Sequence, residues 1–477
     1  MPLTVIEQTS WVVAWDQAGA RHIYLRDCDV AFCESGFIYV GPRFQGNAQN
    51  RMCGRGRMLM PGFVDIHSHP TTEPLRRGIT DETTSPGFHH SSLYEFLPVL
   101  EGDEEARAAC IKVALAELLK GGVTTVVDLS IPYDGWLDAL ADSGIRACIA
   151  PMYRDARWST PNGHSIDYEW DTARGRASFD NAARLIERAR QHPSGRLTGM
   201  LCPAQIDTCT AELLRDSHAL AEERKLQLQI HVAQSVAEFH EMSRRHGKTP
   251  VQWLDDLGVL DGGTILGHAI FLDHHPWLHW TSRRDLDLIA ERGASVAHCP
   301  TVFVRRGITL RTFGGYLRAG VNVGIGTDTY PHEFLRELFV ASYAARVIGE
   351  SVTDHTAAEL FTAATLGGAR AMKRDDLGRV SVGAKADFVL VDLDHPAMRP
   401  VYDPVRTLIY SADDRVIRDV WIDGRRVVAD GVVTTIDTET ATALLEEAQA
   451  KMLEKVPERD WAGRTIERLA PRCFELR

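Results

Sequence analysis

Two histidines stand one residue apart at the end of an apolar segment, in the stretch PGFVDIHSHP at residues 61–70. The segment has the composition of a buried strand, and residues at i and i+2 of a strand point to the same face. His67 and His69 therefore aim their imidazoles at one point just past the end of that strand. Such a pair predicts a shared metal ion, because imidazole nitrogen is a common transition-metal ligand.

Three further residues with metal-binding side chains close other strand-like segments. His231 closes LQLQIHV, His268 closes TILGH, and Asp328 follows VNVGIGT. Any one of these histidines alone is more often a hydrogen-bonded structural residue than a ligand. The whole set, however, supplies the mixed nitrogen and oxygen ligands of a transition-metal site.

The surrounding sequence predicts the scaffold that would bring these residues together. Strand-like and helix-like segments alternate over residues 61–374, with eight strands in all, which predicts an α/β fold of the (β/α)8 TIM-barrel type. In such a barrel the carboxyl ends of the strands converge on one mouth. Residues 1–60 and 375–435 are rich in short strands without covering helices, and we expect one small β-sandwich made from both chain ends. Residues 436–477 are predicted to form a C-terminal helix and tail.

Composition narrows the class of protein. The chain has 477 residues, 44% of them hydrophobic and 25% charged, as in a globular protein. A net charge of −12 without basic blocks argues against a nucleic-acid partner, and no segment reaches the roughly 18 apolar residues of a membrane span. The N-terminus lacks signal-peptide features, and the nine cysteines have no C-x-x-C spacing, so we expect free thiols in the cytoplasm. We further expect a homo-oligomer.

The motifs PGFVDIHSHP, LLKGGVTTVVDL, AHCPT, GVNVGIGTDT and LGRVSVGAKADFVLVDLD resemble the amidohydrolase superfamily over nearly the whole chain. The branch that they resemble contains cytosine and guanine deaminases and triazine hydrolases. The resemblance implies a barrel with an adjoining β-sandwich and makes His67, His69, His231 and Asp328 ligands of a divalent metal. Zinc is the first expectation, with iron, cobalt or manganese as alternatives. The fourth strand ends without the lysine that bridges two metals in some members, so we expect one metal per chain.

The same resemblance makes His268 a base or a substrate-orienting group beside the metal ligands. His268 and Asp328 are the predicted catalytic residues, because both should lie within hydrogen-bond reach of the water that they hold and deprotonate. Deaminases of this branch carry a glutamate three residues after the histidine of strand 5, where this chain has Gln234. They also often carry a histidine after strand 4, where this chain has Ala204. A glutamine cannot carry a proton. Both differences favour hydrolysis of a urea, carbamate, amide or cyclic amide over deamination of a nucleobase.

The predicted substrate is a small, partly apolar molecule. The candidate substrate contacts are Gln234, Gln205, Phe303, Tyr94 and Arg305. Two alternatives remain open at this point. One is a deaminase or chlorohydrolase of an N-heterocycle such as a triazine or nucleobase, and the other is a non-catalytic metal-binding scaffold.

Overall fold

The computed structural model describes residues 2–476. Its first part is a β-rich segment made of short strands. These are β1 (Thr4–Asp16), β2 (Arg21–Cys33), β3 (Gly36–Gly41), β4 (Asn50–Cys53) and β5 (Arg57–Pro61).

Strands and helices then alternate through the middle of the chain. The strands are β6 (Phe63–Ser68), β7 (Val123–Asp128), β8 (Arg146–Ile149), β9 (Met152–Tyr153), β10 (Ala156–Ser159), β11 (Asp167–Trp170), β12 (Leu197–Gly199), β13 (Cys202–Pro203), β14 (Leu228–Val232), β15 (Thr264–His268), β16 (Ser295–His298) and β17 (Asn322–Ile325). The helices are α1 (Glu104–Lys120), α2 (Trp136–Ser143), α3 (Thr172–Arg190), α4 (Ala211–Arg224), α5 (Val236–His246), α6 (Pro250–Asp256), α7 (Asp285–Arg292), α8 (Pro300–Val304), α9 (Phe313–Arg318), α10 (Phe334–Ile348), α11 (Ala357–Thr362) and α12 (Gly368–Ala371).

The C-terminal part returns to strands and ends in helices. The strands are β18 (Phe388–Asp392), β19 (Ile417–Ile422), β20 (Arg425–Ala429) and β21 (Val432–Val433), and the helices are α13 (Pro404–Ser411), α14 (Thr438–Glu454), α15 (Val456–Arg459) and α16 (Ile466–Leu469). Among residues 2–476, every helix is too short or too polar to cross a bilayer.

Eight parallel strands of the middle part form the scaffold of the site. They pair as two sheets, in the orders β12-β8-β7-β6 and β14-β15-β16-β17. A parallel bridge between Leu201 and Leu228 joins the sheets at one seam, and a bridge between Ser68 and Asp328 joins them at the other. These pairings follow the (β/α)8 arrangement, and the strands are buried along nearly their whole length, as parallel strands covered by helices require.

Strands from both chain ends share one sheet. Its order is β21-β20-β19-β18-β5-β1-β2-β3, with β4 paired to β1. The antiparallel pairing of β18 with β5 joins the two ends of the chain within this sheet. Phe32, Phe388 and Trp421 pack their rings together in the core of this sheet. Whether this unit has the two layers of a sandwich stays a prediction.

A buried ion pair connects the sheet of the chain ends to the barrel. Arg146, at the start of β8, donates from Nε to Asp387 at 2.7 Å and from Nη2 to Asp423 at 3.0 Å. Asp423 and Gly424 form the turn of the β19–β20 hairpin with φ values of 53° and 73°, the left-handed conformations that a two-residue hairpin turn needs and that an Asp-Gly pair favours.

Candidate metal centre and active-site cavity

Three histidines meet where barrel strands end. His67 lies on β6, His69 directly follows that strand, and His231 lies near the end of β14. One side-chain nitrogen of each lies within 4.8 Å of the others, and Nε2 of His69 is 3.2 Å from Nε2 of His231. The strand-end positions predicted from the sequence therefore do bring the three imidazoles together.

Hydrogen bonds on the far side of the rings fix which nitrogen carries the proton. Nδ1 of His69 lies 2.7 Å from the carbonyl oxygen of Leu129, and Nδ1 of His231 lies 2.7 Å from that of Ala204. A carbonyl only accepts, so both Nδ1 atoms are donors, and in a neutral ring Nε2 then holds a lone pair. The short contact between the two Nε2 atoms therefore brings two lone pairs together, with no proton between them.

The third ring is held in the same way by a side chain. Nδ1 of His67 lies 2.7 Å from Oε1 of Gln229, whose amide is oriented by donating from Nε2 to the carbonyl oxygen of Ile66 at 2.9 Å. Nε2 of His67 is buried and has no hydrogen-bond partner among residues 2–476. The Nε2 lone pairs of the three histidines therefore converge with no N–H or O–H group of the described chain between them. Such a set of nitrogen ligands suits a divalent metal ion.

Burial keeps these imidazoles neutral, as metal binding requires. It lowers the pKa of His231 to about 3, with a further contribution from His69. It also lowers the pKa of His67 well below the usual value, and the neighbouring histidines, led by His268, act in the same direction.

A carboxylate and a fourth imidazole complete the cluster. Oδ1 of Asp328 lies 3.4 Å from Nε2 of His69 and 3.9 Å from Nε2 of His67. Its other oxygen, Oδ2, lies 3.7 Å from Nε2 of His268. Asp328, His67, His268 and the buried Cys299 form a second group of possible ligands that overlaps the first.

The backbone at this cluster adopts conformations that side-chain-bearing residues rarely take. His268 has a φ of 83°, Asp328 one of 58° and Ala233 one of 54°. Each such residue costs about 1–3 kcal/mol, and such strain concentrates at functional sites. Backbone hydrogen bonds hold Asp328 across the seam between the two sheets of the barrel. Its N–H donates to the carbonyl oxygen of His67, and its carbonyl oxygen accepts from the N–H of His69.

A cavity of about 560 Å³ opens onto this cluster, a size suited to a small-molecule ligand. Its histidine end is the part lined by His69, His231, His268 and Asp328. The predicted contacts Gln234, Gln205 and Phe303 line the same cavity.

The amidohydrolase family model matches residues 58–427. The chain belongs to the amidohydrolase family. It is 29% identical to the 5'-deoxyadenosine deaminase of Methanothermobacter thermautotrophicus over 85% of this chain and 90% of the relative. It is likewise 29% identical to a 5-methylthioadenosine/S-adenosylhomocysteine deaminase of Natronomonas pharaonis, over 91% of this chain and 95% of the relative.

Solved structures give the same result for the fold. An adenosine deaminase from Xanthomonas campestris with bound zinc superimposes with a TM-score of 0.81 at 25% identity, over 94% of this chain and 98% of that one. Atrazine chlorohydrolase from Arthrobacter aurescens, complexed with zinc, has a TM-score of 0.78 at 22% identity, over 94% of this chain and all of that one. This amidohydrolase is thus an enzyme that hydrolyses carbon–nitrogen bonds with a divalent metal, and not a non-catalytic scaffold.

Two of the predicted substrate contacts do not line the cavity of the amidohydrolase. Tyr94 is buried behind the wall, where its hydroxyl lies 2.9 Å from Oγ of Ser235 and its ring packs against Trp158. Arg305 pairs with Asp81 and donates to Oγ1 of Thr329 at 2.8 Å. These contacts engage the hydroxyl of Tyr94 and the terminal nitrogens of Arg305.

The neighbouring arginine takes the position that was expected of Arg305. Arg306 lines the cavity, and it donates from Nη1 to the carbonyl oxygen of Val302 and from Nη2 to Oγ of Ser92. Adjacent residues of a helical turn point in different directions, and the sequence alone did not distinguish the two arginines.

The sequence interpretation missed residues that support the amidohydrolase site. Gln229 orients His67, and Asp65 accepts from the N–H groups of His67 and Thr327. The carboxylate of Glu238 accepts from the N–H of Gln234 and of the residue before it. The spacing of strand residues could have indicated two of them. Gln229 lies two residues before His231, and Asp65 lies two residues before His67, so each shares a strand face with a histidine.

Proposed function

We propose that the enzyme holds one divalent ion, zinc in the first instance, through His67, His69, His231 and Asp328. The convergence of unprotonated imidazole nitrogens at the end of the cavity supports this ligand set. The end of the fourth barrel strand, Met200 to Cys202, offers no lysine to bridge a second ion. A divalent ion held by these residues would lower the pKa of a water molecule toward 7 and so supply the nucleophile.

His268 is the proposed group for proton transfer. Its ring is 2% exposed and lines the cavity, with Nε2 3.7 Å from Oδ2 of Asp328. Unlike the other three rings, it has an Nδ1 with no hydrogen-bond partner in the described part of the chain, so no contact fixes its tautomer. A ring that is free to change tautomer can accept a proton from water and pass it to a leaving amine.

The proposed reaction is hydrolysis of a carbonyl-type C–N bond, as in a urea, carbamate, amide or cyclic amide. The observation that carries this choice is Gln234, whose Nε2 is buried in the cavity wall and has no partner among residues 2–476. An amide N–H can donate to a carbonyl oxygen but cannot protonate a ring nitrogen. The nearest acid along the chain, Glu238, does not line the cavity, and backbone N–H groups occupy both of its oxygens.

A second candidate is the deamination or dechlorination of an N-heterocycle. The activities of the relatives favour it, because they include deaminases of 5'-deoxyadenosine and of 5-methylthioadenosine. The cavity also contains Phe303, whose ring meets that of His268 edge-on at 4.6 Å and offers a surface for a flat ring.

The test compares both reaction classes on metal-loaded enzyme. We expect cleavage of at least one urea, carbamate or cyclic amide, and little ammonia from cytosine, guanine or 5'-deoxyadenosine. The Gln234→Glu variant should gain deamination of the nucleoside, whereas the control Gln205→Glu should not. Nucleobase or nucleoside deamination by the unmodified enzyme at about 10⁴ M⁻¹s⁻¹ or more would refute the proposal.

A further inference from the structure

The cavity has a second charged region away from the histidines. Arg154 follows β9, Arg157 lies on β10, and Arg174 lies in the first turn of α3, and all three line the cavity. We refer to these three residues as the arginine end. We propose that the arginine end binds an anionic group of the substrate, a carboxylate or a phosphate. The proposal rests on the function proposed above, since it concerns the substrate of the same site.

The first support is that these guanidinium groups lack partners. Among residues 2–476, none of the three guanidinium groups makes an ion pair within 4.0 Å or a hydrogen bond, and Nη2 of Arg174 is buried without a partner. Other arginines of the chain are paired, for example Arg76 with Glu73 near the histidine end. Arg157 is exposed and its guanidinium meets water, whereas Arg154 and Arg174 are half-buried. A half-buried guanidinium without an acceptor is costly, and a bound anion would satisfy it.

The second support is the local charge. Arg154 stands over the ring of Trp158 at 5.7 Å from its centroid. Burial lowers the pKa of Arg154, and the charge of Arg157 lowers it further. The arginines therefore repel each other in a partly desolvated wall, where an anion between them would remove the repulsion.

Nearby carboxylates, Glu101 among them, offset the positive charge of this region only in part. Asp155, next in sequence to Arg154, accepts instead from the N–H and the hydroxyl of Thr210, at 2.9 and 2.7 Å. Glu169 stands opposite Arg157 in the β10–β11 register without forming an ion pair. Glu101 is 3.9 Å from Arg107, which also lines the cavity. Four arginines and two glutamates therefore line this part, leaving two positive charges in excess.

Planar guanidinium groups bind carboxylates and phosphates by paired hydrogen bonds. Apolar side chains, among them Leu97, Met152 and Trp158, line the cavity as well. The arrangement fits an elongated molecule whose hydrolysable group lies at the histidine end, whose body contacts apolar side chains, and whose anion lies at the arginine end.

The experiment measures binding separately from turnover. Calorimetric titration of metal-loaded enzyme would compare 4-ureidobenzoate, 4-ureidophenyl phosphate and the neutral 4-ureidobenzamide. We expect one anionic compound to bind at least about 10-fold more tightly than the amide, as expected for a hydrogen bond to a charged group. The preferred anion distinguishes a carboxylate subsite from a phosphate subsite.

Variants then assign the preference to the arginines. Arg154→Gln and Arg174→Gln should each abolish most of it. The matched control Arg176→Gln changes an arginine on the same helix that pairs with Asp216 on the surface, and it should keep the preference. Thermal melting of all variants checks that they fold.

Two results would overturn the inference. One is that the unmodified enzyme shows no preference for either anion, including a failure to bind both at millimolar concentration. The other is a preference that survives in Arg154→Gln and Arg174→Gln, since the anion would then bind elsewhere, for example at the metal. Binding of the anions without cleavage of the urea would refute the proposed reaction but not the anion subsite.

Discussion

The two ends of the cavity differ in how their polar groups are satisfied. At the histidine end, hydrogen bonds to Gln229, Leu129 and Ala204 orient three of the rings from behind. At the arginine end, no guanidinium of the proposed subsite has a partner among the described residues. The first end is organised before any ligand arrives, as metal binding and proton transfer need. The second presents positive charge that no acidic side chain among residues 2–476 pairs, which is the arrangement expected for recognising an anionic ligand.

The largest effect is expected from removing a proposed ligand at the histidine end. His231→Ala should lose the metal, and its kcat/KM should fall by more than the roughly 10²–10⁴-fold that a lost acid–base group costs. Elemental analysis should find about one divalent ion per chain in the unmodified enzyme and none in the variant.

A matched control uses a histidine outside the cavity. His218 forms a small polar cluster with Glu222 and Asp261 that could also attract a metal. His218→Ala should keep both metal and activity. If His231→Ala keeps its metal, the proposed ligand set is wrong, and if His218→Ala loses metal, the second cluster holds it.

The next effect separates proton transfer from metal binding within the histidine end. His268→Ala should retain the metal but lose activity by about 10²–10⁴-fold, because its ring is proposed to move protons and not to hold the ion. Metal content and kcat/KM on one preparation decide this. A folded but metal-free variant would show that His268 is itself a metal ligand. The ion would then be held by the second group of possible ligands, which also contains Cys299.

The histidine end could be predicted from the sequence because strand geometry determines it. His67 and His69 have strand spacing, and His231 and His268 end strands whose apolar, β-branched runs are visible in the chain. Asp328 lies three residues beyond β17, yet backbone bonds still place it beside β6. In a closed barrel of parallel strands, the carboxyl ends of the strands meet at one mouth, so residues at those ends must lie close together.

The arginine end could not be predicted in the same way. Its residues come from the short β10–β11 hairpin and from the start of α3, whose positions depend on tertiary packing. Nor did the sequence predict that Tyr94 and Arg305 lie off the cavity wall, because the direction of a side chain in an irregular segment or at a helix end follows no sequence period. The contacts of Tyr94 with Ser235 and Trp158 are visible only in three dimensions.

A smaller effect is expected from the residue that orients a ligand from behind. Gln229→Ala removes the acceptor of His67 Nδ1, and the metal affinity should fall about 10–100-fold. Competition with a chelator measures this. The control Gln227→Ala changes a partly exposed glutamine two residues earlier and should leave the affinity unchanged. Equal metal affinities in the unmodified enzyme and both variants would mean that metal binding does not depend on the hydrogen bond between His67 and Gln229.

The smallest effect on catalysis comes from a test of whether residues that line the cavity contact the substrate and residues behind its wall do not. Tyr94→Phe removes a hydroxyl that contacts Oγ of Ser235 outside the cavity. It should cost about 1 kcal/mol of unfolding free energy, while kcat/KM stays the same. Gln234→Ala changes a residue that lines the cavity, and kcat/KM should fall roughly 10-fold through the lost hydrogen bond to substrate. Denaturant unfolding and steady-state kinetics on both variants separate the two cases. A large loss of activity in Tyr94→Phe with little loss in Gln234→Ala would reverse the assignment, since the substrate would then contact the region behind the present wall.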